Sequence, residues 1–139
     1  MAIGRRTARR QAVFVLYQQD LLGLTPEAAM ARGVVADGLD PYTLSLVTGV
    51  ATYVRDIDKL LSANLSGWTL DRLGILERSI LRLGAYEMLW ESQIPHAVVI
   101  DEAVELAKRF CSDEAGALVN GVLGALSGGL LEHEAGDRG

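Results

Sequence analysis

Four arginines stand close together near the start of the chain, Arg5, Arg6, Arg9 and Arg10, and no acid lies among residues 1–10. Guanidinium groups at that density suit oxyanions, above all phosphates, which arginine grips through paired N–H donors. The four open a helical run that turns apolar at Ala12, Val13, Phe14, Val15 and Leu16, so its basic start should stay wet while its second half is buried. Like charges at a helix N-terminus oppose the helix dipole, and Arg5/Arg9 and Arg6/Arg10 repel each other one turn apart. Such an arm costs stability unless an anion offsets it. Nucleic acid is the expected anion, and RNA rather than a DNA groove, because no helix-turn-helix pattern adjoins the arm.

Other chemistries find little support. The only histidines are His96 and His133 and the only cysteine is Cys111, from which no zinc spacing can be built. No Gly-x-Ser-x-Gly, Walker or Gly-x-Gly-x-x-Gly motif is present, so neither catalysis nor a cofactor is expected. The carboxylates Asp101, Glu102 and Glu105 suit a solvated helix face, and Asp113 with Glu114 suits a helix start. Glu87 falls on an apolar stripe and needs a partner. An internal pair with an arginine or a backbone donor is the preferred reading, and an acid facing another protein the second.

The elements that must position these residues are all helical. The first helix ends near Gly23, and Thr25-Pro26-Glu27 opens a weak second one with Gly33 inside it. A turn over residues 37–41 leads, through Asp40 as cap and Pro41 as first residue, into a third helix reaching about Asn64. Leu46, Val47, Val50, Val54, Ile57 and Leu61 keep 3.6-residue spacing along it, interrupted only by Gly49, a candidate kink. A fourth helix is expected from Thr69 and Asp71-Arg72, with Leu73, Leu76, Ile80, Leu83 and Gly84 inward. A fifth follows Ile94-Pro95 and carries the favourably spaced Glu105 and Arg109. A sixth, capped by Ser112, buries Leu118, Val119, Val122, Leu123 and Leu126 and stops at Gly128-Gly129. No stretch alternates with period two and no repeat recurs, so the fold class is all-α.

The length of 139 residues fits one domain, with residues 1–4 a flexible start and 129–139 a disordered tail. The net charge of −5 conceals a split: the arm is about +4 and the remainder, nine basic against eighteen acidic residues, about −9. An acidic body confines nucleic-acid contact to the arm and its surroundings. One cysteine makes no internal disulfide, which fits the cytoplasm. The apolar run after the arginines is too short for an export signal, and nothing elsewhere approaches a membrane span, so no membrane partner is expected.

Four blocks, in order, carry a resemblance. Arg5-Arg6-x-Ala8-Arg9 leads into Ala12-Val13 and Leu16-Tyr17; Leu83-Gly84-Ala85-Tyr86-Glu87 follows. Then come Ile94-Pro95 with Val99-Ile100-Asp101-Glu102-Ala103-Val104-Glu105-Leu106-Ala107-Lys108, and Val119-Asn120-Gly121-Val122-Leu123. Together they resemble the NusB family of transcription antitermination factors, from about Arg5 to Leu126. The resemblance implies two packed three-helix subdomains and binding of the boxA element of nascent rRNA as single-stranded RNA. It also implies the ribosomal protein NusE as partner, within an RNA polymerase elongation complex holding other Nus factors. Carried over, the RNA surface would comprise Arg5, Arg6, Arg9, Arg10, Arg82, Phe110, Glu114, Leu118 and Asn120, with Glu77 facing the ribosomal protein.

Asp101 replaces the family's usual Asn, Cys111 its Gly, and Leu118 an aromatic whose stacking on a base would be worth ~1–3 kcal/mol. Asn120 either contacts RNA or braces the corner between the fifth and sixth helices. Two other functions stay open: an interaction module of the same fold without RNA affinity, and the N-terminal domain of an RNA methyltransferase, which the end at Gly139 without a cofactor-binding segment disfavours. The apolar stripes can pack within one chain or leave a patch for a homodimer.

Overall fold

Helix ends in this chain are written by short polar side chains and glycines, and the computed structural model, which describes residues 4–32, 39–67 and 69–138, shows most of them in use. Helix α1 (Arg5–Leu22) ends where Gly23 turns left-handed at φ 64° and returns its N–H to the Gln19 carbonyl. Thr25 Oγ1 accepts from the Ala28 N–H at 3.2 Å and starts the short α2 (Pro26–Arg32). Gly33 and the Asp37-Gly38 part of the expected turn lie outside the described residues. Asp40 Oδ2 accepts from the Tyr42 N–H at 2.9 Å, and Pro41 opens α3 (Pro41–Ala63).

The irregular point in α3 is Tyr53, at φ −110° and ψ 17°, and not Gly49. Gly49 serves packing instead: a Cβ there would collide with the ring of Tyr86, so the missing side chain lets the next long helix approach.

The fourth helix starts later than its sequence suggests. Leu70–Arg72 form one 3₁₀ turn, and α4 (Ile75–Trp90) begins only after Gly74. With three residues per turn, Leu70 and Leu73 fall on one side, and both are buried.

Helices α5 (His96–Phe110) and α6 (Asp113–Arg138) follow, the latter capped by Ser112 Oγ accepting from the Ala115 N–H at 3.0 Å. Gly128-Gly129 does not end α6, and the expected tail over 129–139 is helical as far as Arg138. Leu126 and Ser127 before the glycines are buried and Leu130 after them packs on the core, which outweighs the ~1 kcal/mol helix penalty of each glycine. By length and composition alone, α6 could cross a membrane over Asp113–Glu132, at mean hydropathy 1.3, contrary to expectation. Its Val119, Val122, Leu123 and Leu126 are spent on the protein's own core.

Helix α4 is the hub. It packs on α1 and α3 in the first half and on α5 and α6 in the second, joining two three-helix subdomains. Gly84 makes the second close approach, since a Cβ there would sit 2.7 Å from a Leu123 methyl of α6. Among the described residues, Leu46, Ile57, Leu61, Ile80, Leu81 and Leu123 are the largest apolar side chains fully enclosed. Among the described residues there is no strand.

Candidate nucleic-acid interface

The four arginines of α1 do not form one wet arm. Tyr42 and Thr43, at the start of α3, pack along the first turns of α1, where Thr43 Oγ1 donates to the Ala8 carbonyl at 3.0 Å. Arg9 is consequently 5% exposed. Its Nε donates to Glu87 Oε1 at 2.8 Å and Oε2 at 3.0 Å, and the Tyr42 hydroxyl donates to the same Oε2 at 2.8 Å. This is the internal partner that Glu87 required, and it commits the charge of Arg9 to the interior.

Burial lowers the Arg9 pKa, but the hydrogen bond and charge of Glu87 outweigh it, so the guanidinium is held above its ordinary value and stays charged. Burial and the Glu87 hydrogen bond push the Tyr42 phenol up, keeping it a donor.

The other three differ in their commitments. Arg5 is exposed and lies over the Tyr42 ring at 5.0 Å. Arg6, with a side chain 84% exposed, pairs through Nε with Glu102 Oε1 of α5 at 2.8 Å. Arg10 is half-buried and makes no ion pair among the described residues. Part of the anion that the arm demands is therefore supplied by the chain itself, by Glu87 for Arg9 and Glu102 for Arg6.

A groove of about 360 Å³ runs between α1 and α5, walled by Arg6, Arg9 and Arg10 on one side and Asp101, Glu102, Glu105, Leu106 and Arg109 on the other. The favourable spacing of Glu105 and Arg109 does not become an ion pair. The Arg109 guanidinium lies instead over the Phe110 ring at 5.2 Å, and Phe110 meets Phe14 of α1 edge to face, with centroids 5.1 Å apart and planes at 82°. Phe110 thus stands behind the groove wall, joined to it through Arg109 and to α1 through Phe14. Arg109 lines the groove although it was not among the expected residues, and the only sequence hint was its adjacency to Phe110.

The remaining expected residues are dispersed. Arg82 binds Asp58 with Nε and Nη2 at 2.8 and 3.0 Å and Asp20 with Nη1 at 3.3 Å, and Arg78 holds the same Asp20 at 3.0 Å. Burial lowers the Arg82 pKa, yet the Asp58 and Asp20 contacts prevail and hold it above its usual value. Arg82 lines a different cavity, with Leu16, Leu24 and Val50, and acts as a clamp among α1, α3 and α4.

Glu77, Glu114 and Leu118 share a further groove with Arg72 and Ser112. This places two residues assigned to RNA beside the one assigned to the protein partner. Cys111 at the α5–α6 corner feels that groove, since burial and then the charge of Glu77 push its thiol up. Asn120 is exposed on an α5–α6 groove with Lys108 and Asp113 and makes no hydrogen bond among the described residues, so it does not brace the corner.

The fold and groove define a class: an all-helical protein of two three-helix halves whose first helix offers arginines along a cleft facing the fifth. The particular member follows from comparison: the model of the NusB family matches residues 6–127, and the chain belongs to that family. It is 47% identical over 129 residues to the transcription antitermination protein NusB of Streptomyces avermitilis, covering 88% of this chain and 90% of the relative. The protein of the same description from Exiguobacterium sp. is 47% identical over 120 residues, covering 86% and 94%. Among solved structures, T. maritima NusB superposes with TM-score 0.84 at 31% identity, covering 91% of this chain and 92% of that one. A crystal structure of antitermination factors NusB and NusE in complex with dsRNA matches with TM-score 0.81 at 32% identity, covering 90% and 96%.

Proposed function

We propose that this protein is a non-enzymatic, cytoplasmic RNA-binding factor of transcription antitermination. It recognises the boxA element of nascent rRNA transcripts together with ribosomal protein NusE and acts on the RNA polymerase elongation complex with other Nus factors. The observation that carries this is the 47% identity, over nearly the whole chain, to proteins that bear the antitermination name. The α1–α5 groove supports it physically, because it keeps cationic groups open to phosphate on an otherwise acidic body.

The test is a titration of boxA-like single-stranded RNA, with and without the ribosomal protein, at two salt concentrations. Binding should weaken steeply with salt as phosphate contacts release counterions. The double variant Arg6→Ala/Arg10→Ala should shallow that dependence; an unchanged slope and affinity would remove the groove from the interface. One observation favours a second reading, a protein-interaction module without RNA affinity: Glu87 and Glu102 already neutralise two of the four arm arginines. Capture of the ribosomal protein with no RNA affinity in either state would select it.

A further inference from the structure

We propose that Arg10 and Arg109, on the α1 and α5 walls of the groove, form one seat for a backbone phosphate of the bound RNA. The inference rests on the RNA-binding function above and adds Arg109, a residue outside the blocks that carry the family resemblance.

Four arginines line this groove, but two are occupied. Arg9 is buried on Glu87, and Arg6 is paired with Glu102. Arg10 and Arg109 have no carboxylate partner among the described residues. Arg109 is also prearranged. Its guanidinium rests on the face of Phe110, whose ring is wedged against Phe14 of α1, so its position is tied to the helix that carries Arg10. Stacking engages the face of the guanidinium and leaves its N–H edge free, the edge that grips a phosphate.

Arg109 lies in the last turn of α5, where a cation suits the helix dipole, and it could merely offset Asp101 and Glu105. Neither duty occupies its N–H edge, and neither requires the Phe110 mount. Asp101 and Glu105 are exposed beside the seat, so phosphate is drawn to the gap between the two guanidinium groups and not to the whole groove.

The experiment measures boxA-like single-stranded RNA binding across a salt series for the wild type, Arg109→Ala, Arg109→Lys, Arg10→Ala and the Arg10→Ala/Arg109→Ala double variant. Arg55→Ala, which removes an exposed arginine outside the groove, is the control for net charge. Arg109→Ala should weaken binding about tenfold and reduce the salt slope by ~0.7, the loss of one phosphate contact on a single strand. Arg109→Lys should keep the slope while recovering only part of the affinity, because a lysine has no planar fork to stack. The double variant should lose less than the product of the two single losses, as expected for groups sharing a ligand. If Arg109→Ala matches Arg55→Ala while the wild type binds, the seat is wrong and the function stands. If the two losses multiply, the arginines hold separate phosphates and the shared seat is wrong. If the wild type binds no RNA with or without the ribosomal protein, both fall together.

Discussion

The arginines of α4 and those facing the α1–α5 groove are the same chemical group put to opposite uses. Arg78 and Arg82 face Asp20 and Asp58, two cations against two anions, with the guanidinium groups largely enclosed between helices. In the groove, Glu102 answers Arg6, while Arg10 and Arg109 are left over. What separates a clamp from an open cationic groove is thus the local count of acids within reach, together with exposure. Arg9 shows both sides of this, since it lines the groove yet belongs energetically to the interior through Glu87 and Tyr42.

Three substitutions would break or sharpen that contrast. The largest effect is expected for Glu87→Ala, which strands Arg9 in the interior; breaking a buried pair costs about 3–5 kcal/mol, measurable as a fall in the denaturant midpoint. A loss near zero would mean that Arg9 swings out and belongs to the binding surface after all. Arg82→Ala should cost less, about 1–2 kcal/mol for a partly exposed pair, and leave the salt slope of RNA binding unchanged. A shallower slope would return Arg82 to the RNA surface. Glu102→Gln has the smallest expected effect on stability, ~0–1 kcal/mol, because Arg6 is so exposed. By freeing Arg6 it should tighten RNA binding about two- to fivefold, whereas weaker binding would show that Glu102 positions Arg6 for its ligand.

Much of the fold was legible because helices are specified locally. The caps at Thr25, Asp40 and Ser112 act on backbone N–H groups two or three residues away, so the residues that set them are adjacent in the chain. The start of α4 was misplaced because Leu70 and Leu73 answer to a core built by other helices. Gly49 and Gly128 misled in the same manner. One reads as a kink and is a contact with Tyr86, and the other reads as a stop and lies within a helix held by its neighbours.

The site was legible in kind but not in membership. Four arginines on one stretch announce an anion, and Glu87 on an apolar stripe announces a buried partner, from residue type and spacing alone. That the second requirement would be met by one of the four could not be read from the chain, because Arg9 and Glu87 lie 78 residues apart. Helical periodicity determines which face a residue occupies. Only the packing of α1 against α3, α4 and α5 decided which arginines find a carboxylate and which stay open, because charge pairing acts over a few ångströms of space and not along the sequence.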